Sequence, residues 1–162
     1  MSGKTALYAG TFDPFTNGHY DIIKRGLPLF DELTILLAVS PTKKPLFPVE
    51  ERKKMIEELF ENNSKIKVAH WDGLVVDFVK RNKIDVIIRG LRPTRDFEFE
   101  FQMASMNRHL EPEVETVFFM TGEKYYFVSS TLVKEVYEHG GKISELVPPS
   151  IHKKLMGLKQ GR

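Results

Sequence analysis

The stretch GTFDPFTNGH, Gly10 to His19, decides the reading of this chain, because a short apolar run feeds into it and an amphipathic segment leaves it. Thr5 to Ala9 reads as a strand, Pro14 stops any early helix, and Thr16 or Asn17 can cap a helix that begins near Gly18. His19 then falls in the first helical turn, where backbone N–H groups lack intrahelical partners and the helix dipole adds positive potential. Such a place suits a polyphosphate, and a histidine beside it supplies a further donor. A second reading stands next to this one. His19, Ile22, Ile23, Gly26, Leu27 and Phe30 recur at helical spacing, so His19 also lies on the face expected to be buried and can serve as a core histidine. Thr11, Asp13, Thr16 and Asn17 crowd the loop and Gly18 allows close backbone approach, which speaks for a ligand. On local residues alone both readings stay open.

Outward from this loop, β-rich runs alternate with amphipathic segments. The further strands are predicted at Leu33 to Val39, Lys65 to Trp71, Asp85 to Ile88 and Glu115 to Met120. That alternation predicts an α/β fold, a doubly wound, five-stranded parallel sheet with helices on both faces. In such sheets ligands bind beyond the carboxyl ends of the strands, near the point where strand order reverses. The residues following each strand therefore carry the functional reading.

After the second strand, SPTKKPLFP (Ser40 to Pro48) places Lys43 and Lys44 in a loop at that edge, within reach of a phosphate or simply solvated. The helical pattern VEERKKMIEELFE follows, with Glu50 and Glu51 complementing its dipole and Met55, Ile56, Leu59 and Phe60 as its core face. After the third strand, Leu74 and Val75 open a helix, so their backbone can approach a ligand. The fourth strand delivers Arg89, Arg92 and Arg95 within seven residues, the strongest local charge signal in the chain. Arginine makes forked, charge-assisted bonds to phosphate, and Asp96, Glu98 and Glu100 offer the competing partners. Arg89 is expected to face phosphate and Arg95 a neighbouring carboxylate. After the fifth strand, Tyr125 and Tyr126 precede Ser129, Ser130 and Thr131, which open a helix that Gly140 and Gly141 end. Those hydroxyls suit helix caps or a second phosphate cradle. From Ile143 to Arg162 a Pro148–Pro149 break, one short helix and a basic tail carry no visible chemistry.

The segment DFEFEFQMASMNRHL is helical by its later spacing, with Phe99, Met103, Met106 and Leu110 on one apolar face and Phe97, Phe101 and Ala104 on another. One sheet cannot cover both faces, so an interface with a second subunit is expected.

Composition bounds the rest. The 162 residues suit one domain, 1–162, with a real core. With 24 basic and 22 acidic residues the net charge is +2, so no global field argues for nucleic acid or an anionic membrane, and any anion site must be local. The absence of cysteine excludes disulfides and thiolate chemistry and fits a cytoplasmic protein. No apolar run reaches transmembrane length, and MSGKT lacks the apolar core of a secretion signal. Gly3, Lys4 and Thr5 mimic only the end of a P-loop, and there is no GxGxxG. No HExxH or Cys/His cluster offers a preformed metal site, and no Ser-His-Asp assignment follows from spacing.

The motifs together resemble a known family. TNGH at Thr16 to His19 looks like the TxGH signature of the nucleotidylyltransferases, and SSTLVK at Ser129 to Lys134 like their second motif. SPTKKP, IRGLR at Ile88 to Arg92, and DFEFE through MNRHL are similar to the bacterial phosphopantetheine adenylyltransferases, in the same order over roughly Ala6 to Pro148. The resemblance implies a Rossmann-like nucleotidylyltransferase fold and transfer of AMP from ATP, with Mg²⁺, to 4′-phosphopantetheine. The products would be dephospho-coenzyme A and pyrophosphate, the penultimate step of coenzyme A synthesis. It further implies a homo-oligomer, a hexamer, with coenzyme A as a feedback ligand.

By position, the resemblance gives phosphopantetheine to Thr11, Lys43, Val75 and Arg89. It gives ATP to Thr11, Phe12, His19, Gly90, Leu91, Arg92, Glu100, Tyr125, Tyr126, Phe127, Val128, Ser129, Ser130 and Thr131, with His19 stabilising the transition state. Lys134 stands where many members of the wider superfamily carry Arg, Val75 where relatives often carry Met, and Phe99 where some carry Tyr. A nucleotidylyltransferase acting on nicotinamide mononucleotide or using CTP, or a non-catalytic nucleotide-binding module, would share the first motif.

Overall fold

Ala6 and Tyr8 alternate with Leu7 and Ala9 along the first strand, all four buried, which is the pattern of a strand covered on both faces. The computed structural model describes residues 3–39, 45–93 and 96–160. Lys43, Lys44 and Arg95 lie outside the described residues. The elements are β1 (Thr5–Gly10), α1 (Asn17–Gly26), β2 (Glu32–Ala38), α2 (Val49–Leu59), β3 (Ile66–Trp71), α3 (Val75–Asn82), β4 (Val86–Leu91), α4 (Asp96–Leu110), β5 (Glu115–Met120), α5 (Ser130–Glu138) and α6 (Pro149–Gln160). Short 3₁₀ turns lie at Leu27–Leu29 and Glu123–Tyr125.

The five strands form one parallel sheet in the order β3-β2-β1-β4-β5, as the alternation of patterns predicts. The chain winds outward from β1 to β3, then returns to β4 on the other side of β1. Strand order thus reverses between β1 and β4, and their carboxyl ends flank the crevice where a ligand belongs. One difference from the sequence reading matters here. The fourth strand does not stop at Ile88 but pairs on to Leu91, opposite Met120, so Arg89 and Gly90 are strand residues with fixed directions.

Period-two alternation then assigns sides. Ala6, Tyr8, Leu33, Ile35, Leu37 and Ile88 share one core with α1, α2, α5 and α6. Leu7, Ala9, Leu36 and Ile87 share the other with Val79 of α3. Arg89 follows Ile87 in phase and points to the α3 and α4 side, while Gly90 follows Ile88 and lies beneath α1. A Cβ at Gly90 would stand 3.2 Å from Cγ1 of Ile22, so glycine here lets α1 sit close to the sheet.

The sheet covers neither apolar face of α4. Its Phe99, Met103, Met106 and Leu110 face is not buried on the sheet, since these residues are roughly half exposed, as are Phe97 and Phe101. The residue turned inward is Glu100, 7% exposed, because it pairs with Arg89 on β4. The carboxylate takes the place an apolar knob would have filled, and the phenylalanines are left outside. The Phe97 and Phe101 rings stack on each other at 5.9 Å.

The C-terminal segment is also more than a tail. Ile143, Val147, Ile151 and Leu155 are wholly buried in the α1 and α5 core. Ahead of α6, the carbonyl of Leu146 accepts the backbone N–H of Asn17 at 2.9 Å, and that of Glu145 accepts the Asn17 side chain at 2.9 Å. The first residue of α1 is therefore anchored by a segment 128 positions away in the chain.

Candidate active site

Thr16 caps α1 with extended backbone angles, and its side-chain oxygen accepts the backbone N–H of His19 at 3.3 Å. In return, Nδ1 of His19 accepts the backbone N–H of Thr16 at 3.0 Å. This is a reciprocal capping box with histidine at the position usually held by Glu or Gln. The chemical consequence is a fixed tautomer: with Nδ1 occupied as an acceptor, the neutral ring carries its hydrogen on Nε2. Tyr8, Phe12 and Phe15 surround the imidazole at 5.0 to 6.2 Å between ring centres. Burial among these rings, and then the Arg89 and Arg92 charges, push the His19 pKa down to about 3. His19 is consequently neutral at physiological pH, and it lines a cleft rather than disappearing into the core.

That cleft, about 310 Å³, opens over the carboxyl ends of β1 and β4. Its walls include Thr11 and Phe12 after β1, and Gly90, Arg92 and Glu100 from β4 to α4. Val128, Ser129, Ser130 and Thr131 complete it from the start of α5. Ser129 caps α5 through Leu132 N–H at 3.1 Å, and Ser130 donates to the carbonyl of Pro14 at 2.8 Å. The hydroxyls thus cap a helix and line the cleft at once. Two helix N-termini, α1 and α5, meet here and make the cleft favourable for anions.

The loop that carries Phe12 contains a cis Asp13–Pro14 peptide bond, and Phe12 has a φ of 47°, a left-handed conformation costly for a bulky residue. Packing of the buried Phe12 ring against Tyr8, Phe15 and His19 holds it there. Burial also pushes the hydroxyl of Tyr8 up to about 12, so it remains a neutral wall of the cleft.

Arg89 does not wait in solvent. Its Nε and Nη2 bind the two carboxylate oxygens of Glu100 at 2.7 and 2.5 Å, and Nη1 donates to the carbonyl of Ala9. Arg92 reaches the carbonyl of Val128 at 3.3 Å. On the other side of Arg89 lies a second, more apolar pocket of about 270 Å³ between α3 and α4, lined by Leu74, Val75, Met103, Asn107 and Leu110 among others. Ala9, Arg89 and Glu100 border both cavities, so the two pockets meet at the strand ends.

Most residues named from the sequence are brought together. Thr11, Phe12, His19, Gly90, Arg92, Glu100 and Val128 to Thr131 line the cleft, Val75 the apolar pocket, and Arg89 both. Leu91 is buried at the end of β4, and Tyr125 packs partly on the core. Tyr126 and Phe127 are exposed and stand outside the cleft lining. Tyr8 and Thr121 escaped the sequence reading. Tyr8 looks like any core residue of β1, and Thr121, whose hydroxyl donates to Leu91 at 2.9 Å, looks like any residue leaving a strand. A larger groove of about 630 Å³ runs along β3 at the opposite edge, where Lys67 is paired with Glu32 at 2.6 Å.

This geometry has known counterparts. Residues 7–136 match the cytidylyltransferase-like family model. The chain is 51% identical over 148 residues to a protein named phosphopantetheine adenylyltransferase from Anaeromyxobacter dehalogenans, covering 91% of this chain and 90% of that one. The chain belongs to the phosphopantetheine adenylyltransferase family. A second member, from Syntrophus aciditrophicus, is 49% identical over 152 residues, covering 94% of this chain and 92% of that protein. The fold is shared more widely: a structure described as a putative nicotinate-nucleotide adenylyltransferase from Vibrio parahaemolyticus superposes with a TM-score of 0.71 at 16% identity, over 95% of this chain and 92% of that one. Phosphopantetheine adenylyltransferases are thus the relatives against which the two adjoining pockets are to be understood.

Proposed function

We propose that the chain transfers AMP from MgATP to 4′-phosphopantetheine, reversibly, giving dephospho-coenzyme A and pyrophosphate. The observation that carries this reading is a neutral His19, hydrogen on Nε2, beside the junction of a polar cleft and an apolar pocket. The triphosphate suits the cleft with its helix N-termini and serine and threonine hydroxyls, and the pantetheine arm suits the apolar pocket. Arg89, at the seam, is the fork for the acceptor phosphate, with Thr11 beside it; Lys43 is proposed for the same phosphate.

In the reaction an acceptor phosphate oxygen forms a bond to the α-phosphorus of ATP while the bond from that phosphorus to the bridging oxygen of pyrophosphate breaks. The acceptor is already an anion, so no side chain has to take a proton from it. What the protein supplies is alignment of the two phosphates and stabilisation of charge on the α-phosphoryl oxygens. The Nε2–H of His19 is the proposed donor to that charge. The cleft offers hydroxyls, arginines and imidazole, a donor set for anions, so Mg²⁺ is assigned to the phosphates of the incoming ATP as part of the substrate.

Coenzyme A shares the pantetheine arm and is the proposed feedback ligand of the same pockets. The exposed Phe97, Phe99, Phe101, Met103, Met106 and Leu110 of α4 support a homo-oligomer, proposed as a hexamer. The reaction is proposed for the cytoplasm; among the described residues no helix is long and apolar enough to cross a membrane.

The deciding experiment is a panel: ATP with 4′-phosphopantetheine or nicotinamide mononucleotide, and CTP in place of ATP, followed for pyrophosphate release. Dephospho-coenzyme A and pyrophosphate with the first pair alone is the expected result. Turnover only with another acceptor, or ATP binding without pyrophosphate, overturns the proposal.

A further inference from the structure

Lys134 belongs to the second motif, yet it does not line the cleft. Its ammonium lies 3.3 Å from Oδ2 of Asp13, a residue only 4% exposed that also stands outside the cleft lining. The same carboxylate accepts two backbone N–H groups of the segment entering α2: Leu46 at 2.8 Å on Oδ2 and Phe47 at 3.1 Å on Oδ1. Arg52, itself 5% exposed, completes the junction by donating from Nε to the carbonyl of Phe47 at 3.0 Å and from Nη1 to that of Thr11. Three segments that border the cleft or lead to it are therefore tied at one buried carboxylate: the loop of Thr11 to Thr16, the approach to α2, and α5.

We propose that Asp13 and Lys134 are positioning residues, a clamp that sets the α2 approach and the first loop against the helix carrying Ser129 to Thr131, and that Lys134 is not a ligand of the nucleotide phosphates. A carboxylate suits the task because it is acceptor-only, so two N–H groups and an ammonium can converge on it without conflict. An amide at the same place presents a donor to one of those N–H groups. Burial of the charge is offset by these three bonds, and the charge of Lys134 is spent on Asp13. The clamp bears on catalysis through the reaction proposed above, on which its kinetic readout rests.

The test is a double-mutant cycle in the full chain with Asp13→Asn and Lys134→Met, and Lys134→Arg as the conservative variant. Hydrogen exchange at the Leu46 and Phe47 amides, calorimetric ATP affinity, and kcat and acceptor KM are measured for each. The expected result is exchange faster by about tenfold or more in both single variants, with any change in ATP affinity shared by the two to within about twofold. Acceptor kcat/KM falls by about tenfold or more in both, Lys134→Arg restores it, and the double variant is no worse than the worse single one. A loss of ATP affinity of about tenfold in Lys134→Met that Asp13→Asn does not share makes Lys134 a phosphate ligand and overturns the clamp. Additive losses in the double variant overturn it as well, as does a lowered melting temperature with exchange and kcat/KM unchanged. If the wild-type chain does not turn over 4′-phosphopantetheine, the proposed reaction fails on its own, and amide exchange with ATP affinity still decides the clamp.

Discussion

The guanidinium of Arg89 and the carboxylate of Glu100 meet through two parallel hydrogen bonds, 2.7 and 2.5 Å long, at the seam between the polar cleft and the apolar pocket. A phosphate arriving at Arg89 therefore competes with, or shares, an existing partner. The fork is pre-aimed because Glu100 and the carbonyl of Ala9 hold it, which lowers the ordering cost of binding.

Arg89→Ala is expected to weaken 4′-phosphopantetheine by about tenfold to a hundredfold, the scale of a lost charged hydrogen-bond pair, and ATP by much less. Arg92→Ala is expected to weaken ATP preferentially, since Arg92 sits over the cleft beside Val128. Calorimetric titration of both ligands into both variants checks the division, and equal losses for both ligands would remove it.

His19→Gln separates fold from chemistry. Glutamine can keep the reciprocal bond to the Thr16 N–H, so melting temperature should change little while kcat falls by about a hundredfold or more. His19→Ala keeps the Thr16 cap but loses the return bond from the Thr16 N–H, and should cost about 1 kcal/mol of stability on top of the same kcat loss. Retained kcat in the glutamine variant would return His19 to the role of a core residue.

The depressed pKa of His19 gives a signed pH dependence. Unfolded, the ring titrates near 6.5; folded, near 3. Between those values the unfolded chain holds a proton that the folded chain does not, so stability falls as pH drops through this window and is independent of His19 above it. Urea unfolding at about pH 7 and pH 4 should show a larger loss for wild type than for His19→Gln. Nitrogen-15 spectra should show the Nε2–H tautomer, with no titration of this ring between about pH 5.5 and pH 8.

Phe101→Glu places a charge among the exposed aromatic residues of α4. It is expected to shift assembly toward the monomer and, because the same helix delivers Glu100 to Arg89, to lower activity. Light scattering at micromolar concentration checks this. A wild type of monomer mass removes the oligomer, and a fully assembled variant removes α4 from its contacts.

The sheet and the loops at its carboxyl edge were legible in the sequence because each rests on a local rule, whereas Phe12, Gly90, Glu100 and Val128 were assigned to the site only through the family resemblance. Alternating apolar residues mark strands, Thr16 marks a cap, and ligands collect where strands end. What was not legible depends on contacts distant in sequence. Whether Asp13 reaches Lys134, 121 positions on, or Asn17 reaches Glu145 is set by how the helices dock, and nothing in either residue's neighbourhood announces it. The inward turn of Glu100 on α4 was not legible for a related reason. Hydrophobic spacing assumes that the sheet wants an apolar knob, whereas here Arg89 on the sheet selected a carboxylate.

Arg89 and Gly90 are neighbours in β4 with opposite directions, and this makes the sheet a septum. In the proposed reaction the acceptor's chain and the nucleotide would occupy the two pockets on its two sides, with their phosphates meeting around its rim. Removing one residue between Val86 and Ile88 would hand the Arg89 position to glycine and drive Leu91 beneath Ile22, closing one compartment and disarming the other. In this strand the number of residues constrains the enzyme alongside the identities of Arg89 and Gly90, because a shift of one exchanges their two sides.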